Sequence, residues 1–158
     1  MLNDIVIDSN VLAHADNPTD GNHESSTELL RVLLASETLL CVDREFAFAH
    51  GNTSLIGQEY LETVGFGGTG YATLLTLMAT SRIKSVPMRL PRDEAKIIEA
   101  LIRPSKPRDR TFVRVAANSD ERTFVSHDWE DFTASVRRDL KRRLAIDTLE
   151  ASDALSSF

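Results

Sequence analysis

Apolar positions in this chain fall into short blocks separated by amphipathic stretches, and the two alternate along most of its length. Residues 4–8, Asp4-Ile5-Val6-Ile7-Asp8, read as a buried strand ending on a carboxylate. Residues 24–35 predict a helix, with Leu29, Leu30, Leu33 and Leu34 as its stripe and a start as early as Asn22 left open. Ser25 and Glu28 have capping-box spacing there. A second strand follows at 38–42, then a loop or short hairpin over 43–54 with a Gly51-Asn52 turn signal. Ile56, Tyr60 and Val64 set one face of a helix over 55–64, which Gly65-Phe66-Gly67-Gly68 breaks. A helix over 71–80 and a short strand over 83–86 come next. Pro91, suited to a first helical position, opens a helix through Ile102. Beyond the stiff basic loop 103–107 lie a helix at 108–117, a strand at 122–126 and a helix at 129–143. Residues 146–149 suit an edge strand, and the last few residues are expected to fray.

Strands alternating with helices predict a parallel sheet covered on both faces. At 158 residues the chain suits a single domain with one core. In sheets of this kind ligands bind beyond the carboxyl ends of the strands, so the position of each acid carries information.

Composition narrows the function classes. No apolar run is long enough to span a bilayer. The opening has no basic region followed by an apolar signal stretch, so a cytoplasmic protein is expected. A lone cysteine, Cys41, makes neither an internal disulfide nor a thiolate metal site, and its apolar neighbours suggest a buried thiol. The net charge of −6 argues against gripping nucleic acid with the whole surface. It suits a protein that uses acids to hold a cation, with nucleic-acid contacts confined to a local basic patch or supplied by a basic partner.

Four acids stand out. Asp8 closes the first strand and Asp128 follows the fourth by two residues, which puts both at the carboxyl edge. Asp109 lies in the first turn of a helix after Pro107, and Glu59 adjoins Tyr60 on the apolar stripe of its helix. Taken singly, each has a plain explanation as a turn residue, a helix-dipole charge or a solvated side chain. The argument rests on the combination.

That combination resembles the PIN-domain family. Ile5-Val6-Ile7-Asp8-Ser9-Asn10-Val11-Leu12 is similar to the family's opening strand and its Asp-Thr/Ser-Asn turn. Glu59-Tyr60 falls where a second acid is often carried, with Glu62 one turn away. The stretch from Asp109 to Ala116 resembles the third-acid helix, and the stretch from Phe124 to Phe132 resembles the closing segment. The resemblance implies a three-layer α/β/α sandwich with a central, mostly parallel sheet of four to five strands. It also implies an acidic pocket that binds Mg²⁺ or Mn²⁺ and, in many members, cleaves RNA. Asp8 and Asp128 are then the principal ligands, and Asp109 is a ligand directly or through water. Glu59 is a water-mediated ligand or the base for the attacking water. Ser9 and Asn10 orient Asp8, and Asp131 is a candidate outer acid. Hard cations prefer such oxygens, and crowded carboxylates without a cation raise one another's pKa.

Candidate RNA contacts are Lys106, Arg108, Arg110, Arg114 and His127, with Arg103 nearby. A second basic group comprises Arg137, Arg138, Lys141, Arg142 and Arg143. Trp129 either packs beneath the site or stacks on a base. The leading expectation is a metal-dependent ribonuclease similar to the VapC-type toxins, with a homodimer and a small antitoxin inserting an Arg as further possibilities. Two alternatives stay open: a non-catalytic RNA- or protein-binding module of the same fold, and a haloacid-dehalogenase-like phosphatase. The phosphatase wants an acid two residues after Asp8, where Asn10 stands.

Overall fold

A computed structural model describes all residues from Met1 to Phe158. Its elements, in order, are β1 (Asp4–Ile7), α1 (Ser9–His14), α2 (His23–Ala35), β2 (Leu39–Asp43), α3 (Leu55–Thr63), α4 (Thr69–Ala79), β3 (Ile83–Val86), α5 (Arg92–Leu101), α6 (Pro107–Asn118), β4 (Thr123–Val125), α7 (Ala134–Leu144), β5 (Asp147–Leu149) and α8 (Ala151–Ala154), closed by a 3-10 turn. The five strands form one sheet in the order β3-β2-β1-β4-β5, and every pairing is parallel. The sheet is thus fully parallel rather than mostly so. Helices flank it in a three-layer α/β/α arrangement, with α6 against β1, β2 and β4, and α2 against α4 and α8.

Burial explains the strand sequences. All four residues of β1 are buried, as a strand covered on both faces requires. Its one polar member, Asp4, is held at the amino edge by the Lys84 ammonium at 2.6 Å and by the backbone N–H groups of Asp120 and Glu121. Cys41 is a free, fully buried thiol.

The strand order fixes where a ligand belongs. The chain runs outward from β1 through β2 to β3, then crosses back to place β4 on the other side of β1. The crevice at the carboxyl ends of β1 and β4 is therefore the topological switch point. Beneath it lies a column of buried rings, Tyr60, Phe112, Phe124 and Phe132, with successive centroids 6.1, 5.8 and 5.1 Å apart.

Several boundaries differ from the sequence reading. A short helix, α1, follows Asp8 directly and buries Val11 and Leu12. Ser25 and Glu28 form no capping box: α2 starts at His23, the Ser25 hydroxyl donates to the Asn22 carbonyl, and Glu28 pairs with Arg31. Pro91 precedes the first residue of α5 rather than occupying it. The helix expected from residue 129 starts at Ala134, capped by the Thr133 hydroxyl. The end of the chain is held: α8 packs on α2 and buries Ala151 and Ala154.

Candidate metal centre

Asp8 sits where β1 turns into α1. Its Oδ2 accepts hydrogen bonds from the Ser126 hydroxyl at 2.6 Å and the Asn10 amide at 3.0 Å. The Asn10 carbonyl oxygen accepts from the His127 N–H, so Asn10 clamps the ends of β1 and β4 together. Asp8 is only 6% exposed. Burial, together with the carboxylates of Asp109, Glu59 and Asp128, pushes its pKa up to about 7 despite the Ser126 hydrogen bond.

Asp128 is set by a tight turn. Its Oδ1 accepts from the backbone N–H groups of Glu130 at 2.8 Å and Asp131 at 3.0 Å, while its own N–H donates to the Ser126 hydroxyl at 3.1 Å. That Asx turn occupies residues 128–131, and with the Thr133 cap it explains the late start of α7. The buried Arg137 holds the turn from below, donating to the carbonyls of Ser126, Asp128 and Phe132. Its guanidinium also lies 3.8 Å from the Trp129 ring centroid. The Trp129 indole N–H donates to Glu150, so the ring packs against the turn with about half its surface exposed.

Asp109 projects from the first turn of α6, a helix opened by Pro107 and anchored by Phe112, Val113 and Ala116. Burial first, then the Asp131 and Asp128 carboxylates, raise its pKa to about 6. Asp131 moves the other way. Burial works to raise its pKa, but contacts with Arg103 and with Lys106 at 3.0 Å prevail and hold it below the ordinary carboxylate value.

Carboxylate oxygens of Asp109, Asp128 and Asp131 all lie within 4.8 Å of one another, so these three form a group able to hold a metal ion. Oxygens around one hard divalent cation sit up to roughly 4–5 Å apart across the ion, so the spacing fits. The donor set is all oxygen and anionic, which suits such cations better than soft metals. The trio includes Asp131, expected only as an outer acid. Asp8 and Glu59, expected as ligands, are not members of it. Asp8 adjoins the trio closely enough to feel the charges of Asp109 and Asp128.

Glu59 is placed by α3. The neighbouring Tyr60 hydroxyl donates to the Ile7 carbonyl at 2.6 Å and pins the helix to the end of β1. One Glu59 oxygen then accepts from the Ser9 hydroxyl at 2.8 Å and the other pairs with Arg108 at 2.7 Å. Arg108 also bridges to Glu62. Glu59, Ser105, Lys106, Pro107, Arg108 and Asp109 line a polar cleft of about 310 Å³ beside the acids.

The other candidate contacts separate in space. Arg110 donates to the carbonyls of Glu99 and Ile102 and so closes the end of α5, and Arg114 pairs with Glu99. His127 is buried: its Nε2 accepts from the Ala151 N–H, and its Nδ1 lies 2.8 Å from Nδ1 of the stacked His14. Burial, and then the His14 charge, lower its pKa to about 4, so it is neutral at pH 7. These three side chains hold the scaffold rather than facing the cleft. Of the second basic group, Arg137 is structural. Lys141 pairs with Asp147 and Arg142 with Asp139 on the exposed side of α7.

No family model matches this sequence, and no curated protein aligns with it significantly. No helix is long and apolar enough to cross a membrane.

Proposed function

We propose that this chain is a divalent-metal-dependent nuclease of the PIN-domain type that hydrolyses RNA. The observation that carries the reading is the convergence of Asp8, Asp109, Asp128 and Asp131, from three separate stretches of chain, on the switch point of a parallel sheet. Structural acids are ordinarily paired with cations. Here Asp109 and Asp8 have pKa values raised partly by their acidic neighbours, an arrangement that costs stability until a cation arrives.

Asp109, Asp128 and Asp131 would hold the ion. A divalent cation bound there would neutralise charge on a phosphodiester and acidify a coordinated water. The protein's own groups supply the orientation. Ser126 and Asn10 fix Asp8, the backbone N–H groups of Glu130 and Asp131 fix one oxygen of Asp128, and Ser9 with Arg108 holds Glu59 over the cleft. The aromatic column keeps water from beneath the acids. Support for RNA as the substrate comes from the resemblance of the four motif blocks, and support for a phosphodiester comes from Lys106 and Arg108 lining the cleft. Asn10 acts as a clamp on Asp8, so the position two residues after Asp8 carries an amide rather than the acid an aspartyl-phosphate mechanism uses there.

The test is cleavage of a panel of structured and unstructured RNAs by the purified chain, with Mn²⁺ or Mg²⁺ and with EDTA. Metal-dependent cleavage that disappears in both Asp8→Asn and Asp128→Asn is expected. Cleavage indifferent to these substitutions, or no cleavage of any RNA by folded wild-type protein that binds Mn²⁺, would defeat the proposal.

A further inference from the structure

Within the acidic trio the three carboxylates are not equally available. Asp109 forms no salt bridge, and Asp128 is held through Oδ1 alone. Asp131 has both oxygens covered, Oδ1 by Arg103 and Oδ2 by Lys106. Glu59 is likewise covered by Arg108 and Ser9. All three covering cations come from one short stretch, 103–108, that joins α5 to α6.

We infer that Arg103, Lys106 and Arg108 are positioning residues that couple occupancy of the metal centre to a bound phosphodiester, so that each ligand strengthens the other. This rests on the nuclease reading above and adds to it a mode of regulation of the same site. A divalent ion needs Asp131, which Lys106 and Arg103 occupy in the free protein. A phosphate in the adjoining cleft meets Lys106 and Arg108, because both line it. When both ligands bind, the side-chain cations exchange a carboxylate for a phosphate oxygen, and the metal takes the carboxylate they leave.

The exchange needs little rearrangement. The Arg103 and Lys106 side chains are 61% and 44% exposed and free to swing, whereas the Asp131 side chain is only 8% exposed and needs a replacement counter-charge, which the metal would supply. They can leave Asp131 without disturbing the core. The remaining arginines nearby cannot serve in this way: Arg137 is buried under the turn, and Arg110 closes α5. The cleft has no aromatic lining residue, so it offers a base no ring to stack on. The coupling therefore responds to backbone phosphate rather than to base identity. Thermodynamic linkage requires the coupling to be equal in both directions.

Calorimetric titration of the intact chain with Mn²⁺ tests this, with and without a short 2′-O-methyl phosphorothioate oligonucleotide as a cleavage-resistant polyanion. Metal binding by the oligonucleotide alone is subtracted. Wild-type affinity for Mn²⁺ should rise at least about fivefold when the oligonucleotide is present. In Arg103→Met/Lys106→Met, affinity without oligonucleotide should rise about two- to fivefold, and the coupling should vanish. Lys106→Arg should retain it. Circular dichroism checks that each variant is folded. An unchanged or weakened Mn²⁺ affinity in the double variant, or coupling equal to wild type, overturns the inference while leaving the nuclease reading in place. Absence of any Mn²⁺ binding that Asp128→Asn abolishes overturns both.

Discussion

Replacing Asp8 by Asn removes a charge that the metal-free fold carries at a cost. The pKa of Asp8 rises from 3.8 to about 7 in the folded chain, chiefly through burial and secondarily through the neighbouring acids. Each pKa unit corresponds to about 1.4 kcal/mol, so the ionised side chain costs the native state on the order of 4 kcal/mol above pH 7. The sign follows from proton linkage. Between pH 4 and 7 the folded state binds the proton more tightly than the unfolded state, so stability is lost as pH rises through that window. Asn keeps a carbonyl oxygen to accept from Ser126 and Asn10 but places an amide where an oxygen stood, which returns part of the gain. A net stabilisation of about 2 kcal/mol at pH 8 in EDTA is expected, or a Tm increase of about 4–8 °C for a chain of this size. At pH 5 the wild-type carboxyl is largely protonated in the native state, and the advantage should fall below half. Differential scanning fluorimetry at both pH values, with EDTA and with Mn²⁺, measures all four conditions. Saturating Mn²⁺ should stabilise wild type more than the variant. An Asp8→Asn protein no more stable than wild type at pH 8 in EDTA would refute the claim that the acids are crowded at a cost.

Three further outcomes are expected. Ser126→Ala removes the hydroxyl that donates to Asp8 and accepts from the Asp128 N–H, and it should weaken Mn²⁺ binding about 10–100-fold by calorimetry with the fold intact. Arg137→Met strips the carbonyls of Ser126, Asp128 and Phe132 of their donor, and chemical denaturation should show a loss of roughly 2–4 kcal/mol. Ala145 ends α7 in the left-handed conformation at φ 56°, so Ala145→Gly should stabilise the chain by about 0.5–1 kcal/mol in the same assay, without altering metal affinity.

The central strands β1, β2 and β4 were legible because each is a largely apolar block buried on two faces, while the edge strands β3 and β5 are only partly buried; the carboxyl-edge rule then placed Asp8 and Asp128. The short helix α1 was not, since Ser9 and Asn10 are poor helix formers and only the burial of Val11 and Leu12 stabilises it. Residues 129–133 were absorbed into the following helix because side-chain capping by Asp128 leaves no periodic signal; the useful sign was Thr133, a good N-cap. Asp131 looked peripheral because its role depends on how the turn folds back toward α6. Arg137 was indistinguishable in sequence from Arg138, although one is buried and the other exposed. The pairing of Arg103 and Lys106 with Asp131 joins segments more than 20 residues apart and had no local trace.

The order of the strands also sets when the proposed metal centre can assemble. Because β4 must seat beside β1, pairing Phe124 with Val6, the last two ligands reach the others only after some 130 residues exist. A polypeptide still emerging from the ribosome keeps its acids scattered. On the nuclease reading proposed above, products truncated before Asp131 would leave the RNA around them untouched.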